Sequence, residues 1–411
     1  MKKTFLLSCL MLAAMPVMAA YTGHVYVDKN KNGVFDQSEK PLAGIKVSDG
    51  LNVVETAADG SFTLPGHERE RFIFITTPSG YKTFNRHYHK IEKKQSGYDF
   101  DLIPYSGRIR KDGSHRYIHI TDTEIFNTEN HADWVNNVHD YARNEQAAFI
   151  IHTGDICYEK GLKAHIKLMN TENMDCPVFY CIGNHDLVKG KYGEELFESI
   201  YGPVYYSFDA GNVHYVVTPM PGGDHAPGYT SDDVCRWLKN DLTHIRPGTP
   251  VVVFNHDLLT YEDTFIFKSK NAGSINLNEY NLKAWVYGHW HINYMKKQGD
   301  VYSVCTSSLD KGGIDHSTTA FRVMHVDSKG DFTSELRYTY LDKNICIASP
   351  AGVMASGVLP VAVNVYSSVS PVREVLYTCL ADGKPVLKNK RLLQSTDWSW
   401  NGELPLSHKY V

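Results

Sequence analysis

The sequence predicts an α/β domain flanked by two small β-sandwich domains, and three observations carry that expectation. From about residue 115 to 342, strand-like apolar runs alternate with candidate helices. On either side, short strands separated by Gly, Asp, Asn and Pro follow one another with no helical pattern between them. Within the middle segment, five apolar runs end in short polar clusters: Asp122-Thr123-Glu124, Gly154-Asp155, Gly183-Asn184-His185-Asp186, Asn255-His256 and Gly288-His289-Trp290-His291. In an open α/β sheet, strand C-termini are where side chains distant in sequence converge on one crevice.

The chain begins with a pattern of export. Lys2 and Lys3 precede an apolar run from Phe5 to Met15, and Val17-Met18-Ala19 has the small-x-small form of a cleavage site before Ala20. The run is too short to span a bilayer. Residues 1–19 are therefore expected to be a signal peptide, with delivery to the periplasm or cell surface and no transmembrane anchor after cleavage. A lipoprotein reading rests on Leu6-Leu7-Ser8 before Cys9, but leaves almost no hydrophobic segment ahead of the cysteine. The other seven cysteines are odd in number and irregularly spaced, which is no disulfide framework.

With 411 residues, 42% hydrophobic and 21% charged, the chain has material for two or three domains. A formal net charge of −4 gives no basic excess for a nucleic-acid backbone. The 20 histidines and 26 tyrosines favour a site rich in ligands or stacking surfaces.

Residues 20–105 read as a small β-sandwich, from the runs GHVYV, GIKVS, VVETA, GSFTL and FIFITT. Inside it, residues 28–39 match the twelve-residue calcium loop. Asp28, Asn30, Asn32, Asp36 and Glu39 supply side-chain oxygens, Val34 stands at the position that uses its carbonyl, and Gly33 makes the turn. The same residue types also make plain polar hairpins. Strand-like flanks point to a structural clip and not a sensor. The segment resembles the calcium-binding β-sandwich modules of bacterial surface adhesins, and Asp59-Gly60-Ser61-Phe62 resembles the turn into a strand of prealbumin-like modules.

In the middle segment, residues 106–342, the runs YIHIT, AAFIIHT, VFYCI, VVVF and AWVY each precede one polar cluster, and helices are expected near 131–145, 161–172, 191–200 and 231–243. The later runs VYSVC, TTAFRVMHV and FTSELRYTYL are expected to complete a second sheet. Residues 343–411 return to β pattern in VLPVAVNVYSS, REVLYTCLA and KRLLQST. Lys409-Tyr410-Val411 look like the start of a further strand, so an incomplete third sandwich stays open.

Aspartate, asparagine and histidine at strand ends supply the oxygen and imidazole ligands of divalent transition metals. A lone Gly-Asp or His-x-His is a weak signal, whereas the five clusters in order resemble the calcineurin-like metallophosphoesterases, a binuclear-metal hydrolase superfamily. The flanking β-domains resemble the N- and C-terminal accessory domains of some exported bacterial members. The resemblance implies a two-sheet αββα sandwich for the middle domain. It also implies two divalent metal ions, with Asp155 as the bridging carboxylate, Asp122 and His291 on the first metal, and Asn184, His256 and His289 on the second. His185 would donate a proton to the leaving group or hold the phosphate, with Asp186 or another acidic group orienting it. Metals about 3.5–4 Å apart clamp phosphoryl oxygens and acidify a bound water into hydroxide.

One position departs from the family pattern: Glu124 stands where histidine is usual. A carboxylate ligand there would favour Mn²⁺ or Mg²⁺ over zinc or iron, with manganese the preferred expectation. It could equally leave the first metal weak. The expected activity is hydrolysis of phosphomonoesters or phosphodiesters, on small molecules or glycan-linked phosphate, with nucleic acid disfavoured. Tyr158, His225, Trp290, Lys311 and His316 stand near motif ends or in Gly-rich loops as candidate substrate contacts. The competing expectation is a surface or periplasmic binding protein on a metallophosphatase fold that has lost turnover.

Overall fold

The computed structural model describes residues 20–84, 86–125, 131–314, 317–340, 343–350, 352, 357–367, 372–395 and 399–406. The expected leader at 1–19, and His316, lie outside the described residues.

The N-terminal segment is a two-sheet β-sandwich. One sheet orders Lys40–Pro41, Tyr21–Val27, Phe100–Pro104 and Tyr81–Thr83, with Ser61–Leu64 also pairing on Tyr21–Val27. The other orders Val53–Glu55, Lys46–Ser48, Phe72–Ile75 and Tyr88–Lys90. Between them lies a core that includes Val25, Val47, Phe62, Leu64, Ile73, Ile75, Phe100 and Leu102.

The strand Phe72–Ile75 is apolar on both faces for a reason. Successive side chains point to opposite faces of a sheet. Ile73 and Ile75 enter the sandwich core, whereas Phe72 and Phe74 pack into the core of the following domain, with the Phe74 ring 6.2 Å from that of Trp237. Arg71 bridges Glu194 and Glu198 at 2.8 Å each, and Thr77 makes a parallel bridge to Phe208. The sandwich is thus a wall of the central domain.

The central domain is two sheets with helices outside. The first sheet orders Val178–Tyr180, Phe149–His152, His115–Ile120, Ala320–Val326 and Phe332–Tyr338; its first three strands are parallel and the last two antiparallel. The second orders Tyr206–Ala210, Val213–Val217, Val251–Phe254, Leu282–Tyr287, Val301–Cys305 and Tyr294–Gln298. Aromatic side chains fill the space between the sheets: Phe179 stacks on Phe208, Tyr117 on Phe149, and Tyr215 on Phe254. Of the later runs expected in the second sheet, only Val301–Cys305 joins it. Ala320–Val326 and Phe332–Tyr338 return to the first sheet, where the former pairs with His115–Ile120.

Helix Ala132–Asn144 buries Trp134, Val135, Val138, Tyr141 and Ala142, the spacing of one helical face, against the outer side of the first sheet with Ile118, Ile120 and Ile150. Helix Tyr158–Leu168 begins three residues before the expected start. Gly161, which reads as a boundary in the sequence, sits inside it because a Cβ there would lie 2.3 Å from the Ile125 carbonyl oxygen. It stops where Asn170 Oδ1 takes the Glu172 and Asn173 amides. Helix Ser231–Thr243 is entered through a capping box of Thr230 and Asp233.

The C-terminal segment forms a four-stranded sheet, Lys343–Ser349, Gly357–Ser367, Ser399–Leu406 and Leu393–Gln394, and a two-stranded one, Leu376–Ala381 with Lys384–Arg391. Its small core holds Leu359, Val361, Val363, Val375, Leu392, Trp400 and Leu404. None of the seven cysteines from Cys157 to Cys379 is bonded to another. Among the described residues, no helix is long and apolar enough to cross a membrane.

Candidate metal centre

The five polar clusters meet at one edge of the two sheets because parallel pairing runs on past the strand ends. Asp122 N bonds to the Gly154 carbonyl, Glu124 N to that of Asp155, Asn255 N to that of Val286, and Gly288 N to that of His256. To turn their side chains into the crevice, Asp122, Glu124, Asp155, His289 and His291 all take positive φ angles, between 43° and 64°. Such backbone costs on the order of 1–3 kcal/mol per residue and persists where the surroundings fix it. Gly288 is part of that fixation: a Cβ on it would lie 1.9 Å from Thr121 Oγ1 and 2.5 Å from Asp122 Oδ2.

Two groups of ligand atoms result. His291 Nε2 lies 3.1 Å from Asp122 Oδ1 and 3.7 Å from Glu124 Oε1. On the other side, ligand atoms of Asp155, His256 and His289 all lie within 4.8 Å of one another, with His256 Nε2 3.1 Å from Asp155 Oδ2 and 3.9 Å from Asp122 Oδ1. Asp122 and His256 are fully buried and Asp155 is 2% exposed.

The donor atoms fit a cation on an independent test. Asp122 Oδ1, Asn184 Oδ1 and His256 Nε2 are buried side-chain atoms with no hydrogen-bond partner, an expensive state for a polar atom. The other atom of each carboxylate or ring is satisfied. Asp122 Oδ2 accepts from Thr121 Oγ1 at 2.7 Å and from His289 N at 3.0 Å, and His256 Nδ1 donates to the Thr153 carbonyl at 2.6 Å. That hydrogen bond leaves the lone pair on Nε2, the tautomer a metal ligand needs. Without a cation, the Asp155 and Asp122 carboxylates overcome the effect of burial and push His256 up to about 10.

His185 stands apart from both groups. Its backbone N donates to Asp155 Oδ1 at 3.0 Å, while its ring Nδ1 lies 2.9 Å from Asp224 Oδ2. Burial works against the charged ring, but Asp224 and then Asp155 hold its pKa above the ordinary value. The orienting carboxylate is therefore Asp224, and Asp186 is turned inward. Asp186 accepts Cys157 N on one oxygen and Gly183 N on the other, at 2.8 and 2.9 Å. Burial, and then the Asp155 charge, push it up to about 7. It ties the loop of the third cluster to that of the second and does not reach the His185 ring.

Of the residues singled out as substrate contacts, Tyr158 is 44% exposed with its ring 5.4 Å from that of His185. Lys311 Nζ pairs with Glu124 Oε2, and Trp290 stacks with Tyr261 at 5.8 Å. His225 is exposed in the loop that carries Asp224. Sequence reasoning passed over Asp224 in favour of His225; its acidity within a Gly-rich loop was the only signal.

Residues 115–293 match the family model described as calcineurin-like phosphoesterase, and residues 29–104 match the model for the N-terminal domain of calcineurin-like phosphoesterase. The chain is a calcineurin-like metallophosphoesterase. It is similar to Purple acid phosphatase 13 of Arabidopsis thaliana, with 26% identity over 215 residues, which is 49% of this chain and 36% of that protein. The metallophosphoesterase chain thus spans about a third of that relative's length. Among solved structures, it is similar to a purple acid phosphatase from yellow lupin seeds (12% identity, TM-score 0.41, 72% of this chain and 67% of that one). It is also similar to GAP50, the anchor in the inner membrane complex of Plasmodium (14% identity, TM-score 0.35, 55% and 85%).

Proposed function

We propose that this metallophosphoesterase is an exported hydrolase of phosphomonoesters or phosphodiesters, acting on small molecules or glycan-linked phosphate. The observation that carries the reading is the set of orphaned buried ligand atoms, Asp122 Oδ1, Asn184 Oδ1 and His256 Nε2, with His256 Nε2 beside both Asp155 and Asp122. There, Asp122, Glu124 and His291 would hold one divalent cation, Asn184, His256 and His289 would hold a second, and Asp155 would contribute to both. Two cations in such a site supply Lewis acidity toward the phosphoryl oxygens and toward water. Carboxylate-rich donors favour manganese or magnesium over zinc or iron.

The remaining steps belong to the chain. Asp224 fixes the His185 ring by its Nδ1, which leaves Nε2 as the atom that delivers a proton to the departing oxygen. Asp186 holds the loop that presents His185. The charge on His185 persists to higher pH than for an isolated imidazole because two carboxylates face it. The leader expected at 1–19 supports the export part of the reading, and the domain limits 20–105, 106–342 and 343–411 go with it.

The loop from Asp28 to Glu39 supports calcium as a structural ion. Asp28 and Glu39 are buried, and the amides of Asn30 and Asn32 both bond to Asp36 Oδ2 at 2.7 and 3.0 Å. Asp36 thus gathers Asn30 and Asn32, and Glu39 Oε2 accepts the Asp36 backbone amide.

Purified protein loaded with Mn²⁺ and screened on paired monoester, diester and pyrophosphate substrates tests the proposal. Turnover of one ester class with about two metals bound per chain is the expected result. The Lys311 pairing with Glu124 gives the competing reading, a binding protein that has lost turnover, its one specific support. Fewer than one metal per chain, with no ester hydrolysed, would decide for it.

A further inference from the structure

Tyr261 leaves 74% of its surface in water, an unusual placement for a large ring unless something covers it. It is not a free loop side chain. Its ring lies 5.8 Å from that of Trp290 and only 27° from parallel. Trp290 in turn packs edge-on against the buried Tyr287 at 5.2 Å and lies 6.1 Å from Tyr294. The indole is fixed at its polar end as well, since Trp290 Nε1 donates to Asp257 Oδ1 at 3.0 Å. Asp257 N donates to Asn255 Oδ1, and the Asn255 amide is held by Thr218 and Pro219. Trp290 is therefore rigid, stands between His289 and His291 in the chain, and is bound to the residue that follows His256.

From this we infer that Tyr261, backed by Trp290, forms a substrate subsite beside the metal-ligand loops, which stacks on an uncharged ring carried by the ester. The inference rests on the phosphoesterase reading of the adjacent centre. The exposed Tyr261 ring, stacked on an indole that is locked to the ligand loops, offers a flat face beside the centre. Aromatic side chains give large contact area at little entropic cost and bind ring faces more strongly than chains of the same mass. Glu262 and Asp263 follow Tyr261 and are exposed, so the subsite disfavours an ester that bears a second phosphate. An aryl group, a nucleobase and a pyranose all present the chemistry required, whereas an acyclic polyol does not.

The test measures phenylphosphonate and methylphosphonate affinities calorimetrically on the Mn²⁺-loaded full chain, for the wild type, Tyr261→Ala and Tyr261→Phe. Tyr261 is exposed, so neither substitution threatens the fold. The ratio of phenyl to methyl affinity should fall about five- to tenfold in Tyr261→Ala and be retained in Tyr261→Phe. In turnover, the same Ala variant should raise KM for phenyl phosphate, adenosine monophosphate or glucose 1-phosphate relative to glycerol phosphate, with kcat little changed. The ester showing the largest dependence identifies the ring. An unchanged phenyl-to-methyl ratio in Tyr261→Ala overturns the subsite. A wild type that binds neither phosphonate and cleaves none of the esters overturns the phosphoesterase reading beneath it.

Discussion

Asp224 Oδ2 lies 2.9 Å from His185 Nδ1, whereas Asp186, next to His185 in the chain, spends both oxygens on backbone amides. The two carboxylates therefore separate into one that steers the ring and one that shapes its loop. Asp224→Asn should retain bound metal yet slow alkyl phosphate esters about 10- to 100-fold, with a much smaller loss on a nitrophenyl ester whose leaving group needs no proton. His185→Ala should show the same dependence more strongly. Equal losses on both esters with metal retained would mean that His185 and Asp224 position the phosphoryl group and do not deliver a proton.

Glu124 has one oxygen toward His291 and the other on Lys311, so a cationic side chain stands directly behind a proposed ligand. Lys311 is 41% exposed, and solvent screens its charge accordingly. Lys311→Met should tighten Mn²⁺ binding at the first position about three- to tenfold, as read by calorimetry, because a like charge is removed. Glu124→Ala should lose that metal while the second is kept. If metal stoichiometry is the same in Glu124→Ala, the carboxylate is no ligand and Lys311 is only its surface partner.

The strand ends that build the centre were legible because buried parallel strands are continuous apolar runs, and each broke sharply at Asp122, Asp155, Asn184, His256 or His289. What escaped the sequence depended on long-range pairing. Nothing local says that Ala320–Val326 lies beside His115–Ile120, since an apolar strand pairs equally well in either sheet. The double-sided strand Phe72–Ile75 hid its second face in the same way: alternation cannot be seen where both faces are covered, and Phe74 met Trp237 only in three dimensions. Asp224 and Tyr261 sit in loops, where no periodicity marks a side chain that reaches a distant site.

Calcium should bind at Asp28–Glu39 without entering the chemistry. Extracellular calcium loops have Kd values of about 10⁻⁴–10⁻³ M, so 10 mM calcium adds about 1.5–3 kcal/mol to the folded state by mass action. In scanning fluorimetry this should appear as a rise of a few degrees in Tm. Asp28→Ala should abolish the rise and leave turnover intact. A Tm that ignores calcium would reduce the loop to a polar hairpin, and lost turnover in the folded variant would couple it to the phosphoesterase domain.

A buried ionic network gives the domain interface a pH dependence of its own. His214, fully buried, lies 2.7 Å from Asp209 and 2.8 Å from Asp241, and Lys46 of the N-terminal sandwich reaches Asp209 at 3.7 Å. Burial alone would depress His214, but Asp241 and then Asp209 outweigh it and hold the imidazole above its ordinary value. Burial would likewise raise the two aspartates, yet the facing His214 keeps both below the usual carboxylate range. The His214 contribution is therefore complete below an unfolded pKa of about 6.5 and is lost as pH rises through the higher folded value. The aspartate contributions are complete above an unfolded pKa of about 3.9 and are lost as pH falls through the lower folded values. The network should stabilise most between about pH 4 and 6.5. His214→Asn takes the imidazole from the buried Asp241, which keeps Ser207, and from the partly exposed Asp209, which keeps Lys46, and should cost about 1.5–3 kcal/mol in that window. Melting curves of wild type and variant from pH 4.5 to 8.5, with chelator present to remove metal linkage, should show the gap narrowing as pH rises past the folded pKa of His214. A gap that stays constant across the range would mean that His214 is neutral in the folded protein and serves only as a hydrogen-bond donor.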